Sequence, residues 1–158
     1  MKNALILMAF ALTMAVAAPV VAAPLAGWTA ELDGLFHNVS GSLTVIDDDT
    51  LRVDDFTYDG GGIVVYFYLG AEDSGVAYNN GLEIGPQLKG TSFDGTEGPF
   101  EIDLPAGETI GDWNAVSVWC VTAGVSFGSG EFVPPVPEPA TLLLASVALT
   151  PTVFGRRR

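Results

Sequence analysis

Three kinds of side chain in this sequence could do chemistry. The first is Cys120, the single cysteine, set in the run SVWCVT (Ser117–Thr122). One thiol cannot close an internal disulfide. It can serve as an inert core group, a reactive thiolate, a metal or cofactor ligand, or half of an intermolecular bridge. No Lys, Arg or His lies within ten residues of it in sequence, so local sequence predicts a thiol whose pKa burial would raise. The second is His37, the one histidine, in LFHNVSG. With Cys120 it could supply two ligands to a metal or a haem, although no CxxC, CxxCH or HExxH spacing is present. The third is an acidic group: Asp47, Asp48, Asp49, Asp54, Asp55 and Asp59. Calcium takes about six to eight oxygen ligands, which makes Asp47, Asp49 and Asp54 the calcium candidates. The run lacks the glycine and closing glutamate of an EF-hand loop, and a solvated turn is its plainer reading. No Ser-His-Asp set, phosphate-binding loop or distinct carboxylate pair can be singled out.

These residues sit on elements with strand character. GSLTVI (Gly41–Ile46) alternates, DDDT turns, and LRVDDF (Leu51–Phe56) alternates again, which predicts a hairpin. YDGGG (Tyr58–Gly62) breaks the chain. IVVYFYLG (Ile63–Gly70) is apolar on both parities and reads as a central strand. Gly75–Gly81 reads as a polar loop. GLEIG (Gly81–Gly85) and PFEIDLP (Pro99–Pro105) read as edge strands ending near prolines. NAVSVWCVT (Asn114–Thr122) is a second central strand, and GVSFGSGEF (Gly124–Phe132) closes the domain. On that strand Cys120 shares a face with Val116 and Val118, while Trp119 points the other way. The expected fold is all-β, an antiparallel β-sandwich of about seven to nine short strands. A redox role for Cys120 would need an opening beside it, lined by aromatic residues such as Trp119, Trp113 or Tyr68.

The two ends of the chain differ from this core. Residues 1–24 carry Lys2, an apolar run from Ala4 to Val16 and small residues before Pro24, the pattern of a secretory signal peptide. Residues 27–132 form the domain. They hold 18 of the 19 acidic residues and two of the six basic ones, Arg52 and Lys89, a formal charge of −16. Such a surface repels phosphate backbones, so nucleic acid is excluded as a partner. Residues 133–158 run from prolines through a short apolar segment to Arg156, Arg157 and Arg158. Arginines beside an apolar span stay cytoplasmic, which would face the domain outward.

That tail, with Pro137, Glu138 and Pro139 ahead of the apolar span and the arginines behind it, resembles the PEP-CTERM sorting signal. The resemblance implies recognition by an exosortase-type membrane protease. The chain would be anchored transiently in the inner membrane, then delivered to the cell surface or extracellular matrix.

The core carries a second resemblance. FHNVSGSLTVIDDDTLRVDDFTYDGGG, VVYFYLG, IDLP and SVWCVTAGVSFG follow one another in the order of the DM-thirteen domain, the module found beside DOMON domains. What this implies is a β-sandwich with an electron-transfer or redox role. Its motif cysteine falls on Cys120, acting as a bare thiol or as ligand to a group such as haem, with His37 as a speculative second contact. Family members often adjoin a cytochrome or DOMON domain; none is present here, so the redox partner would be a separate molecule. The rival reading is a structural or adhesive biofilm-matrix protein whose acidic loops bind cations or polysaccharide; in neither reading is a stand-alone enzyme expected.

Overall fold

The computed structural model describes residues 25–136; the signal-peptide reading of residues 1–24 and the sorting motif from Pro137 onward lie outside the described residues. Two antiparallel sheets face each other. The first contains β1 (Thr29–Glu31), β3 (Ser40–Val45) and β4 (Thr50–Tyr58) in that order; the far side of β4 pairs with β7 (Phe93–Asp94) at one end and β8 (Phe100–Asp103) at the other. The second runs β2 (Asp33–Gly34), β10 (Val125–Glu131), β9 (Ala115–Cys120), β5 (Val65–Gly70), β6 (Leu82–Ile84). The expected all-β sandwich is thus present, with β5 and β9 central and β6 and β8 at edges. The sequence pattern missed β1, β2 and β7, which are two or three residues long and too short to show an alternation.

Alternation sets the core. Leu43, Val45, Leu51, Val53, Val65, Phe67, Leu69, Val116 and Val118 all point between the sheets and are buried. Two bulges then change the phase. In the β3–β4 hairpin Ser42 faces Asp54 but Ser40 faces Thr57, so β4 holds an extra residue there, with Asp55 at φ 51°. Before the bulge odd positions are buried (Leu51, Val53); after it even ones are (Phe56, Tyr58). A bulge shifts the inward face of everything beyond it, and this one turns Tyr58 into the core. In β10, Ser126 faces Trp119 and Gly128 faces Val118, so Phe127 is inserted between them and is buried.

The outer face of the second sheet is covered too. Gly75–Gly81, read as a loop, holds the short helix α1 (Gly75–Asn79). Ser74 caps it, its Oγ accepting from the Ala77 N–H at 3.2 Å. Tyr78 packs on Trp119 at 5.8 Å between ring centroids, and its hydroxyl donates to Asp73 at 2.8 Å. The capping serine and the buried tyrosine are what turn a polar segment helical. No helix among the described residues is long and apolar enough to cross a membrane.

Phe67 is fully buried at the centre, its ring 5.1 Å from Phe56 and 6.5 Å from Phe100. Phe67→Ala should cost about 3–5 kcal/mol in urea unfolding, whereas Val76→Ala on the exposed face of α1 should stay within about 0.5 kcal/mol. Equal costs would show that the sheets do not pack as described.

Candidate functional site

Cys120 is the last residue of β9, flanked by Val65 of β5 and Val125 of β10. It is 2% exposed and shares the inner face with Val116 and Val118, while Trp119 faces outward onto Tyr78. The sheet stops at this level. β5 begins at Val65, so Ile63 and Val64 stay outside the ladder, and beyond Cys120 the chain turns back. The turn is closed by the Gly124 N–H donating to the Cys120 carbonyl at 2.8 Å, with Gly124 at φ 64°, where a residue with a Cβ would be strained. The Val121 N–H donates to the Val64 carbonyl at 2.9 Å and pins the two loops together.

Four backbone N–H groups are left over at this point. Those of Ile63, Val64, Thr122 and Ala123 donate to no backbone carbonyl among the described residues; none makes a hydrogen bond to the Cys120 sulfur, but their dipoles favour its charged form. Burial pushes the thiol up, and the N–H groups of Ile63, Ala123, Val64 and Thr122 outweigh it, so that Cys120 lies below the ordinary 9.0. The expectation of a thiol raised by burial is therefore corrected. The missing cation is replaced by backbone dipoles gathered from two loops, an arrangement that residue types near position 120 do not reveal.

The same end of the sandwich holds Tyr58, Asp59, Phe127 and His37. The Tyr58 hydroxyl donates to the Gly61 carbonyl. Burial first, then the charges of Asp59 and Cys120, push it up to about 12. Asp59 Oδ1 accepts from the Gly61 N–H at 2.8 Å and lies 3.0 Å from His37 Nδ1. The Gly61 N–H, and then His37, hold the Asp59 carboxyl below its usual 3.8 against a smaller opposing desolvation. The His37 ring rests on Phe127 at 4.3 Å and on Tyr58 at 6.5 Å. To get there the backbone takes left-handed values at both His37 (φ 58°) and Asn38 (φ 54°). Gly61 has no room for a side chain: a Cβ there would fall 2.3 Å from His37 Nδ1.

The structure thus brings His37 to the Cys120 end, but no hydrogen bond joins the two among the described residues. Trp119, Trp113 and Tyr68 do not border an opening at Cys120. Trp119 is buried on the opposite face with Tyr78, Tyr68 packs beside them and donates to Glu83, and Trp113 packs against the core with its indole N–H unpartnered. The aromatic neighbours at this end are instead Tyr58 and Phe127, which the two bulges deliver. Of two open clefts, one of about 550 Å³ lies beside Asp33 and Glu131, and the other, of about 330 Å³, borders this end, walled by Asn38, Tyr58 and Asp59 together with Thr57 and Asp94; Cys120 lines neither.

The calcium candidates are not assembled. Asp47 and Asp49 sit on the β3–β4 turn, with Asp47 Oδ1 accepting from the Asp49 N–H at 3.2 Å. Asp54 lies within β4 opposite Ser42 and accepts from Arg52 Nε at 2.8 Å. No group of three or more His, Cys, Asp or Glu among the described residues could hold a metal ion.

A family model described as "Electron transfer DM13" matches residues 31–132. The chain is also similar to two Drosophila melanogaster proteins, Protein Skeletor isoforms B/C and isoforms D/E. Each is 31% identical over 107 residues, which is 65% of this chain but 13% and 7% of those proteins. The chain therefore spans only a small part of the curated relatives it matches. No solved structure matches it.

A depressed thiol pKa makes stability depend on pH with a fixed sign. The folded state binds fewer protons than the unfolded chain between the two pKa values. Relative to Cys120→Ala, the protein should gain stability as pH rises from the folded value toward 9.0, and level off above it. Urea midpoints under reducing conditions, taken for both proteins across that range, measure the difference; a flat or falling difference contradicts the N–H arrangement. Gly61→Ala should cost about 1–3 kcal/mol through the clash with His37, and the paired substitution His37→Ala should restore most of it.

Proposed function

The chain belongs to the electron transfer DM13 family, and on that premise we propose that it is a redox domain whose working group is the thiolate of Cys120. The observation that carries this reading is the pair of loops beside Cys120, tied by the Val121–Val64 hydrogen bond, whose four carbonyl-free N–H groups favour the charged thiol. Dipoles fixed in position stabilise an anion without rearranging when the charge appears, and the thiolate is the reactive form of cysteine.

The surroundings select among redox roles. A sulfur 2% exposed that lines neither cleft and makes no hydrogen bond with His37 does not fit a haem. The arrangement suits a small oxidant such as a peroxide. The sulfur lone pair forms an S–O bond, the O–O bond breaks, and the departing oxygen carries away the electron pair and takes up a proton. The product is a sulfenate, whose charge the same N–H groups can face. The chain has one cysteine, so the reducing thiol comes from another molecule.

The setting we propose is outside the inner membrane. Residues 1–24 read as a signal peptide. Pro137, Glu138 and Pro139, the apolar segment and Arg156–Arg158 read as an exosortase signal that holds the chain in the membrane before release to the surface. The strongly acidic domain between them supports export as a soluble, non-adhesive unit.

Two experiments test this. Treating the native protein with a peroxide and then a sulfenate-trapping dione should label Cys120 faster than in the urea-unfolded chain, with no label on Cys120→Ala. A native thiol slower than the unfolded one contradicts the redox reading and returns Cys120 to the core of a structural domain. For sorting, the intact mass of the protein at the cell surface should lack the tail after about Pro139; a mass that retains Arg156–Arg158 contradicts the exosortase reading.

A further inference from the structure

Exposed apolar side chains on a soluble domain are ordinarily scattered. Here five of the large ones gather at the Cys120 end: Leu35, Phe36, Ile63, Val121 and Val125, each between 39% and 67% exposed. Backbone contacts show that they are neighbours. The Leu35 and Phe36 N–H groups donate to the Phe127 carbonyl at 2.8 and 2.9 Å, and the Phe36 ring meets Phe127 edge-on at 6.4 Å. Val125 faces Cys120 across the ladder. The Val121–Val64 hydrogen bond holds Val121 beside Ile63. The patch therefore rims the loops that surround the thiol. Leu35 also lines the 550 Å³ cleft, whose other walls include Glu31, Asp33, Asp73 and Glu131.

We propose that the apolar patch at this end, together with the β2–β10 edge that runs from Leu35 toward Glu131 at the other end of the sheet, is the docking surface for a basic redox protein. An apolar area on the partner would cover Leu35, Phe36 and Ile63, while lysines or arginines enter the carboxylate cleft. The proposal rests on the redox reading for the partner's class, and on charge for its sign. The domain carries a formal charge of −16, and of its two basic residues Arg52 is already paired with Asp54. That charge opposes a second copy of the chain and an anionic membrane, the other surfaces an apolar patch could meet. A small apolar centre with a complementary charged rim is the form of short-lived redox encounters, in which charge sets the rate of association.

The test is a calorimetric titration of the full chain with a lysine-rich c-type cytochrome as probe, at low and high salt, and with an acidic flavodoxin as the probe of opposite sign. The cytochrome should bind at low salt, and the flavodoxin should not. The double substitution Leu35→Ser, Ile63→Ser should weaken binding by roughly tenfold at fixed salt. Asp33→Asn with Glu131→Gln should flatten the salt dependence. All four positions are exposed or edge residues, and unchanged urea midpoints confirm that the fold is intact. Cys120→Ala separates this proposal from the redox reading, because docking heat should survive loss of the thiol while dione labelling should not. The proposal is overturned if the cytochrome fails to bind, or if both double variants bind as tightly as the parent. It is equally overturned if the patch instead mediates self-association in sedimentation, or binding to anionic vesicles, that Leu35→Ser, Ile63→Ser abolishes.

Discussion

A central strand has its backbone groups taken up by neighbours on both sides until it ends, and β9 ends at Cys120. That constraint organises the site. Within the ladder, N–H and C=O groups of β5, β9 and β10 satisfy one another. One step past it, the chain before β5 and the chain after β9 leave the sheet together, tied by the Val121–Val64 hydrogen bond, and their N–H groups have no carbonyl to meet. Three of the four residues that carry them are exposed and Val64 is half-buried, so water can meet these donors from outside while their dipoles still act on the thiol. The sulfur of Cys120 lies beside them, and their dipoles favour its thiolate over its thiol. The proton affinity of the thiol and the folding of two loops are therefore one problem.

The rest of this end is built by irregularity. The bulge at Asp55 turns Tyr58 inward, and the bulge in β10 inserts Phe127 beneath the loop of Gly60–Gly62. His37 and Asn38 adopt left-handed backbones that cost on the order of 1 kcal/mol or more each. The Asp59 carboxylate holds that conformation, joining the His37 ring and the Gly61 N–H at 3.0 and 2.8 Å. The strained segment, the glycine loop and the inward tyrosine thus form one hydrogen-bonded collar beside the thiol. The apolar side chains that the loops cannot bury are left on its rim.

Much of the fold was legible because it rests on alternation. The Gly41–Phe56 hairpin, the two central strands, the edge strands near Ile84 and Ile102, and the opposed faces of Cys120 and Trp119 all follow from period-two patterns and prolines. The short strands β1, β2 and β7 hold too few residues to show a period, and α1 depends on one capping serine and a tyrosine buried by tertiary contact. The site was legible only as Cys120 itself. Its partners are backbone amides, which every residue carries, and they converge through a turn that no side chain encodes. Tyr58 and Phe127 reach the thiol through bulges that sequence alternation hides. The run YDGGG marked the place, but it reads as a chain break until the collision of a Gly61 Cβ with His37 shows why that position lacks a side chain.

The most direct measurement is the titration of the Cys120 sulfur in the native protein, followed by the ultraviolet absorbance of the thiolate with Cys120→Ala as the blank. A midpoint below 9.0 in the folded protein, moving up to the ordinary value when urea unfolds it, is what the backbone dipoles of the two loops predict. A native midpoint at or above that of the unfolded chain would mean that burial prevails over the backbone dipoles, and that Cys120 is a core residue without redox function.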